Sequence, residues 1–341
     1  MIPEAEIKEI RQLLHQSERP LFLYDDDPDG VTSYLLLKRY CRKGRGIVVK
    51  SSPIIDQRYV KKINEINPDQ VFILDKPIVE QEFIDATDVP IVWIDHHSPV
   101  ERENIKYFNP MKNDNKDNRP TSYWCYKVTQ QDKWIAACGI LGDWQIPDFL
   151  EDLIKEYPGL IGHITDPGEA LYTTELGKLI RIIGSVLKGS TTEVNRAVSI
   201  LTRLNNPYEI LNETTSRGKY LYKKYLAIQE PYQKLLKKAR SKVKKDKLLL
   251  FTYPSTKLSL TGELSNELLY LYPDKVILIG REKEDRVIMS IRSQKGKLPK
   301  IVKKSMEGLD GYGGGHENAC GGSVSKNDFK IFIERFKKEV K

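Results

Sequence analysis

Long apolar runs, paired cysteines and low-complexity tracts are all lacking in this chain of 341 residues. No apolar stretch approaches the roughly 18 residues that cross a bilayer as a helix, so a membrane span is not expected. The four cysteines include no Cys-x-x-Cys pair, which argues against a zinc knuckle and against a disulfide framework. Residues 1–16 have the pattern of an amphipathic helix rather than of a signal peptide. We therefore expect a cytoplasmic protein.

Charge is abundant, and its balance is basic. The formal net charge is +8 and the pI is near 9.0, which is typical of proteins that bind polyanions such as nucleic acid. A lysine-rich proteome, as in many thermophiles, would give the same balance. The placement of the charge favours nucleic acid, because about a dozen Lys and Arg between Arg217 and Lys247 face only Glu230 and Asp246.

Alternating strand and helix patterns predict an α/β fold. Short runs rich in β-branched and aromatic residues, which indicate strands, occupy 20–25, 46–50, 70–75 and 90–95. Helical spacing separates these runs. Strands that alternate with helices form parallel sheets covered on both faces, and we expect such a sheet in the N-terminal half.

The remaining sequence predicts further helices and a second, smaller α/β domain. Residues 120–203 are mostly helical in pattern. We expect an N-terminal catalytic domain over 1–205, a basic helical connector over 206–246 and a substrate-binding domain over 247–341. Pro231 should interrupt or kink the connector. The connector also carries aromatic residues that could stack on bases or pack in the core, namely Tyr220, Tyr222, Tyr225 and Tyr232.

Acidic and imidazole side chains gather at the ends of the predicted elements. The set comprises Asp25, Asp27, Asp29, Asp75, Asp95, His96, His97 and Asp143. Because the carboxyl ends of parallel strands meet at one edge of the sheet, these side chains should converge there. Such a mixture suits two divalent ions that neutralise a phosphate and activate water for hydrolysis.

Each of these motifs has a simpler explanation when it is taken alone. The run from Asp25 to Gly30 resembles the start of a calcium-binding EF-hand loop, but its twelfth position is Leu36 where a glutamate is required. Asp75 could cap a helix, and Asp143 could lie in a surface turn. The order of the motifs along a strand–helix alternation favours the joint metal site.

In that order the motifs resemble those of the DHH phosphoesterase superfamily. The run Asp-x-Asp-x-Asp-Gly is followed by a strand-end Asp, by Asp-His-His and by Gly-x-x-x-Asp, which ends here at Asp143. Near the C-terminus, Gly313-Gly314-Gly315-His316 is similar to the GGGH motif of the DHH-associated domain. Arg292 matches the arginine that this domain directs at substrate phosphate. The resemblance covers nearly the whole chain.

The resemblance implies a role for each residue. The metal ions, with Mn²⁺ expected and Mg²⁺ or Co²⁺ as alternatives, would be held by Asp25, Asp27, Asp29, Asp75, His96 and Asp143. Asp95 would orient a histidine, and His97 would contact the scissile phosphate. Substrate would be bound by Arg292, Gly313, Gly314, Gly315 and His316. The role of Asp25 stays open, because many relatives begin this motif with histidine and this chain has Leu23 two residues earlier.

A short segment, Arg119–Ser122, has two interpretations. It is similar to a segment that the superfamily carries between its third and fourth motifs. It would equally cap the helix that carries Tyr123 and Trp124.

Domain content narrows the expected activity. The GGGH-type domain disfavours pyrophosphatases, and we expect no OB-fold of the kind that bacterial RecJ carries. The chain resembles compact archaeal RecJ-like nucleases, including the one associated with the helicase Hef. We therefore expect an exonuclease on single-stranded DNA or RNA that releases mononucleotides, with 3′→5′ polarity favoured and the lysines of the connector lining a groove between the domains.

Two other functions stay open. The first is a phosphodiesterase for short oligonucleotides or cyclic dinucleotides. The second is a non-catalytic nucleic-acid-binding subunit in replication or repair. The expected partners are single-stranded nucleic acid and a helicase or another replication or repair protein.

Overall fold

The computed structural model of the chain describes residues 1–50, 52–256 and 258–340. It divides into two units, Met1–Tyr225 and Leu226–Lys341. The division lies inside the segment 206–246 that we expected to connect two domains.

Unit 1 is built on a five-stranded sheet in which every neighbouring pair is parallel. The strands of unit 1, five in this sheet and two in a separate small one, are β1 (Pro20–Asp25), β2 (Arg45–Val49), β3 (Ile54–Ile55), β4 (Gln70–Leu74), β5 (Ile78–Val79), β6 (Ile91–Ile94) and β7 (Lys106–Phe108). The order across the sheet is β2-β1-β4-β6-β7, and β3 pairs only with β5. The four predicted strands correspond to β1, β2, β4 and β6, so the predicted fold class is confirmed for this unit.

Both faces of this sheet are covered. Along β1, Phe22 and Tyr24 belong to one buried apolar cluster, whereas Leu21 and Leu23 belong to another. Successive residues of a strand point to opposite faces, so the two clusters lie on opposite sides of the sheet. The sheet is therefore covered on both faces, as parallel sheets usually are.

Helices make up most of the rest of unit 1. They are α1 (Glu4–Gln16), α2 (Pro28–Cys41), α3 (Val60–Ile66), α4 (Gln81–Asp85), α5 (Thr121–Thr129), α6 (Lys133–Gly142), α7 (Leu150–Glu156), α8 (Pro167–Thr173), α9 (Glu175–Val186), α10 (Thr191–Leu201) and α11 (Tyr208–Leu211). Two short 3₁₀ helices span Gln57–Tyr59 and Pro110–Lys112. Within the described ranges, no helix is both long enough and apolar enough to cross a bilayer.

A long basic helix, α12 (Ser216–Arg240), passes from one unit into the other. Of the two expected effects of Pro231, the interruption is wrong, since the helix continues through this residue, and the kink stays a prediction. Proline removes one backbone hydrogen bond, but buried side chains anchor the helix on both sides of it. Tyr225 packs in the core of unit 1, and Tyr232 packs in that of unit 2. These two tyrosines are core residues rather than platforms for bases.

Unit 2 is a smaller α/β unit with a mixed sheet. Its elements are β8 (Leu248–Pro254), α13 (Thr261–Leu271), β9 (Val276–Lys283), β10 (Arg286–Arg292), α14 (Leu298–Met306), β11 (Gly311–His316), β12 (Ala319–Ser325) and α15 (Lys326–Glu339). The strand order is β11-β12-β10-β9-β8, in which only β8 and β9 run parallel. Helix α13 packs against β9 and β10, and α14 packs against β11 and β12.

The glycine-rich segment near the C-terminus forms a β-hairpin, β11–β12, at the edge of this sheet. Glycine has a low strand propensity, so the sequence pattern did not predict these two strands. His316 pairs with Ala319 across a turn of two residues. The hairpin places the whole glycine motif on an edge strand.

Candidate metal and substrate sites

The turn between β1 and α2 positions the first group of acids. Asp27 is the N-cap of α2, and its Oδ1 accepts a hydrogen bond of 2.9 Å from the Gly30 amide. A Cβ atom at Gly30 would lie 2.7 Å from the backbone nitrogen of Asp25, so only glycine fits here. Asp25 and Asp27 are thereby held on one short loop at the carboxyl end of the strand.

Asp29 is buried, and both of its carboxylate oxygens accept hydrogen bonds. Its Oδ2 accepts from the Thr121 amide at 2.8 Å, and its Oδ1 accepts from the Ser122 amide at 2.9 Å and from the Ser122 hydroxyl. These amides belong to the first turn of α5, whose N-terminal N–H groups have no partner within the helix. Asp29 thus caps α5, although it lies 92 positions before Thr121 in the sequence. The local segment Arg119–Ser122 does not provide the side-chain cap of this helix.

Asp75 directly follows β4 in the left-handed conformation, with φ of 58°. It is buried, and its Oδ1 accepts from the Thr121 hydroxyl at 3.3 Å. Lys76, the next residue, is completely buried. Its ammonium group lies 2.9 Å from Oδ1 of Asp25 and also donates to the carbonyl oxygen of Ser52. A buried ammonium needs such a partner, so Lys76 and Asp25 form a fixed pair.

His96 points toward two carboxylates. Its Nε2 lies 3.5 Å from Oδ1 of Asp75 and 3.7 Å from Oδ2 of Asp143. Its Nδ1 lies 3.0 Å from the carbonyl oxygen of Asn118, which can only accept a hydrogen bond. The proton of the neutral ring therefore belongs on Nδ1, and the lone pair of Nε2 faces the acids.

His97 is held by Asp95. The carboxylate of Asp95 is completely buried; its Oδ1 lies 2.8 Å from Nδ1 of His97, and its Oδ2 accepts from the His97 amide at 3.0 Å. Tyr107 and Asn109 each donate to the same Oδ2 at 3.3 Å. Burial alone would lower the pKa of His97, but the hydrogen bond and the charge of Asp95 raise it.

Burial raises the pKa values of four acids of this cluster, namely Asp25, Asp27, Asp75 and Asp143, and neighbouring acids add to the increase. Desolvation and the charge of Asp27 raise the pKa of Asp25 to about 7, although Lys76 opposes the shift. Desolvation and the charge of Asp29 raise the pKa of Asp27 to about 6. Desolvation raises the pKa of Asp143 to about 6, and burial with the neighbouring acids also raises that of Asp75. Bound cations would relieve this accumulation of negative charge.

The donor atoms fit a pair of divalent metal ions. Among the described residues, one group of donors consists of Asp25, Asp27 and Asp75, and a second consists of Asp75, His96 and His97, each with all its atoms within 4.8 Å of one another. Bonds of about 2.0–2.2 Å to one ion would leave two ligand atoms about 3.0–3.8 Å apart, and the His96 separations agree with this. Asp75 is common to both groups. Asp29 and Asp143 belong to neither, although Oδ2 of Asp143 lies 3.7 Å from Nε2 of His96.

In unit 2, Arg292, Gly314 and His316 share one face of the sheet, whereas the other two predicted substrate residues, Gly313 and Gly315, lie on the opposite face. Arg292 on β10 and His316 on β11 both pair with Ala319 of β12, from opposite sides. Directly paired residues project to the same face, so the two side chains flank Ala319 at about two strand spacings, roughly 10 Å. Nε of Arg292 donates to Oδ1 of Asn266 on α13 at 2.7 Å.

The glycines of β11 serve two different needs. A Cβ atom at Gly313 would lie 2.6 Å from Val302 of α14, so this glycine permits close packing of the helix. Gly315 has φ of 145°, which favours glycine at the hairpin end. At Gly314, by contrast, a Cβ atom would meet nothing within 4 Å. On the outer face of β11, the backbone of Gly314 is therefore open to solvent.

Several residues that complete these sites were not predicted from the sequence. They are Lys76, Tyr107, Asn109, Asn118 and Asn266. Only Lys76 had a local signal, since it directly follows the strand-end acid. The others reach the site through the fold, from strand or helix positions with no distinctive neighbours.

Two family models match the chain. The model described as DHH family, N-terminal domain, matches residues 22–151, and the model described as DHHA1 domain matches residues 249–341. The first match contains all the acids and histidines of the cluster in unit 1. The second contains Arg292 and the glycine hairpin. No curated protein matches the chain in sequence.

Solved structures share the fold at low sequence identity. RecJ in complex with Mn²⁺ from Thermus thermophilus gives a TM-score of 0.72 at 15% identity, over 99% of this chain and 55% of that one. The chain thus spans about half the length of that protein, which has also been solved with Mg²⁺. Exonuclease RecJ bound to manganese gives 0.65 at 16% identity, over 100% and 95% of the two chains. The pGpG-specific phosphodiesterase PggH from Vibrio cholerae gives 0.51 at 12%, over 94% and 98%.

Proposed function

Because the chain is a DHH-family protein that joins a DHH N-terminal domain to a DHHA1 domain, we propose that it is a divalent-metal-dependent phosphodiesterase. More specifically, we propose an exonuclease that removes mononucleotides from single-stranded DNA or RNA, with 3′→5′ polarity. A helicase or another replication or repair protein remains the partner that we predict from the sequence.

The convergence of two donor groups on Asp75 is the observation that carries this proposal. A carboxylate shared by two groups of ligands is the arrangement that a two-metal hydrolytic site requires. Bound there, two divalent ions would neutralise the phosphate and lower the pKa of the attacking water. Mn²⁺ is our first choice for these ions because the ligands mix imidazole with carboxylate.

The protein side chains divide the remaining work. Asp25, Asp27, Asp75, His96 and Asp143 would hold the ions, and Lys76 would keep Asp25 in place and offset one negative charge. Asp29 acts at one remove, since it secures the start of α5 and thereby the Thr121 hydroxyl that contacts Asp75. We thus assign Asp29 a positioning role rather than direct metal ligation.

His97 is the residue that we assign to the scissile phosphate. Asp95 fixes the proton on Nδ1 of His97, so Nε2 is the atom left to face substrate. The raised pKa of His97 favours the imidazolium form, which would donate a charged hydrogen bond to a phosphate oxygen. Arg292 and the open backbone around Gly314 would bind a further phosphate of the substrate.

A long single strand is the substrate that the basic surface favours. Helix α12 carries Lys237, Lys238 and Arg240 in its last turn, and Lys242 follows it. Lysines arranged in this way bind a phosphate backbone without reading its sequence. Shared fold with RecJ supports the same choice, whereas shared fold with PggH supports the alternative of a phosphodiesterase for short or cyclic substrates.

Product analysis with Mn²⁺ tests the proposal. A 20-nucleotide single strand labelled at either end should be shortened stepwise, and the label that persists reports the polarity. The triple variant Lys237→Glu, Lys238→Glu and Lys242→Glu should slow this reaction severalfold and leave a dinucleotide unaffected. Hydrolysis of only the dinucleotide or cyclic di-AMP would establish the alternative, and the absence of any metal-dependent turnover would refute both.

A further inference from the structure

Tyr312 is unusually exposed for an aromatic residue inside a strand. Its side chain is 71% accessible, and it lies on β11, the free edge of the sheet in unit 2. Of the tyrosines of α12 that could have stacked on bases, Tyr225 and Tyr232 are buried, and Tyr220 and Tyr222 are partly buried against the core of unit 1. Among the described tyrosines of unit 2, Tyr312 is exposed, whereas Tyr270 and Tyr272 are half-buried.

The strand register places Tyr312 on the same face of the sheet as Arg292 and His316. Residues 312, 314 and 316 alternate with Gly313, whose absent side chain makes room for Val302 of α14 on the opposite face. The face that carries Tyr312 thus also carries Gly314 and His316. Tyr312 and His316 are four residues apart, about 13 Å along the strand, which is too far for both to hold the same phosphate.

A basic cavity lies at the edge of the sheet beside β11, and its lining includes both Tyr312 of one face and residues of α14, which packs on the other face. It has a volume of about 530 Å³, and its lining includes Tyr312, Gly313 and three lysines of α14, Lys300, Lys303 and Lys304. Glu307 also reaches it, and Lys304 is paired with Glu339 at 2.8 Å. Two lysines, Lys300 and Lys303, therefore carry most of the positive charge that a ligand would meet.

An exposed aromatic ring beside a cluster of lysines has a specific complement. Nucleobases stack on aromatic side chains, and lysines hold the adjoining phosphates, which together give affinity without sequence preference. An anion alone would explain the lysines but not the tyrosine. An apolar protein partner would explain the tyrosine but not the lysines.

We propose that Tyr312, Lys300 and Lys303 form an additional nucleotide subsite of the DHHA1 domain. In this subsite the single strand passes around the edge of β11, Tyr312 stacks on one of its bases, and the two lysines of α14 bind the neighbouring phosphates, one each. Tyr312 lies about 13 Å along β11 from His316. The subsite therefore binds a different nucleotide of the nucleic acid from the one that Arg292 and His316 bind. The identity of the ligand rests on the proposed function, but its binding does not require hydrolysis.

Binding to the metal-free full chain tests the stacking. The probes are a labelled oligonucleotide of five thymidines and an abasic strand of the same length. Tyr312→Ala should weaken the thymidine strand about tenfold, which corresponds to the loss of one stacked base, and leave the abasic strand unchanged. Tyr312→Phe should bind like wild type, since the ring is kept. Ile331→Ala, which truncates another exposed apolar residue of unit 2, serves as the control.

The lysines are tested by salt dependence. Replacing Lys300 and Lys303 with glutamine should weaken both strands and reduce the slope of log affinity against log salt by about 1.4, because two phosphate contacts are lost. Lys326→Gln with Lys330→Gln on α15 makes the same charge change elsewhere, and the slope should not change.

Two results would overturn the subsite. One is an equal loss for the thymidine and abasic strands in Tyr312→Ala; the other is a control pair that weakens binding as much as the Lys300 and Lys303 pair. The two proposals fail separately. If Tyr312 contributes to binding but no strand is hydrolysed, the subsite stands and the exonuclease proposal is refuted. If the strand is hydrolysed but Tyr312→Ala changes neither KM nor binding, the exonuclease proposal stands and the subsite is refuted.

Discussion

The two units hold their functional residues in opposite ways. In unit 1, Asp29, Asp75 and Asp95 are buried, and each accepts hydrogen bonds from donors far away in the sequence. In unit 2, Tyr312 and the backbone of Gly314 are open to solvent. Metal-assisted chemistry needs donors fixed to within a fraction of an ångström, whereas a surface for a variable strand needs access.

The charges differ in the same sense. Unit 1 concentrates carboxylates whose pKa values are raised by burial and by one another. Unit 2 presents lysines around a surface cavity. The first arrangement creates a demand for bound cations, and the second attracts a polyanion. Variants of the two units should therefore fail in different measurements.

Asp75→Asn should give the largest loss. Removing the carboxylate shared by both donor groups should lower kcat by about 10³-fold or more, since several kcal/mol of charge stabilisation depend on the ions. The measurement is single-turnover hydrolysis of the 20-nucleotide strand with Mn²⁺. Asp88→Asn, at an exposed acid of the same unit, is the control. Residual activity near that of wild type would show that the cluster is not the catalytic site.

Asp29→Ala should mainly cost stability. The change leaves two amides of α5 and the Ser122 hydroxyl without their acceptor in a buried place, at about 1–3 kcal/mol for each unsatisfied group. We expect the free energy of unfolding in urea to fall by about 3 kcal/mol or more. Asp29→Asn keeps an acceptor oxygen and should lose less. A loss below about 1 kcal/mol in the alanine variant would contradict the capping role.

Arg292→Ala should affect substrate binding and not metal binding. Loss of a charged hydrogen bond to phosphate should raise KM by about tenfold, or about 1.4 kcal/mol. The affinity for Mn²⁺, measured by calorimetry, should equal that of wild type. A fall in metal affinity would mean that the two units do not divide the work as described.

A further prediction concerns the pH dependence of stability. The pKa of Asp25 is raised to about 7 in the folded protein, so the folded state keeps a proton that the unfolded chain releases above its lower pKa of about 3.9. The contribution of Asp25 to stability is therefore present at low pH and is lost as the pH rises from about 4 to 7. Metal-free wild type should accordingly lose stability over this range relative to Asp25→Asn, measured by urea unfolding. Parallel curves for the two proteins would exclude the shift.

Much of the fold was predictable because its signals are local. The strands β1, β4 and β6 are short apolar runs that end in acids, and their alternation with helices predicts the parallel sheet. The glycine hairpin was not predicted, because glycine offers no side-chain pattern. The continuity of α12 through Pro231 depends on packing on both sides of the proline, which a local rule cannot include.

The candidate site was predictable in its acids and histidines but not in their support. The motif order identified Asp75 and His96, whose Oδ1 and Nε2 atoms lie 3.5 Å apart in the structure. The capping of α5 by Asp29 joins residues 92 positions apart. The pairing of Lys76 with Asp25 places a lysine in the protein interior, where this residue type is rarely found. Such contacts depend on the tertiary fold and have no counterpart in sequence spacing.

Calorimetric titration of the metal-free protein with Mn²⁺ tests the central claim most directly, namely that Asp75 is shared by two bound ions, one held with Asp25 and Asp27 and the other with His96 and Asp143. The account predicts two ions bound per chain in wild type and the loss of both high-affinity events in Asp75→Asn, whose circular dichroism should be unchanged. Unaltered binding of two ions to folded Asp75→Asn would contradict it.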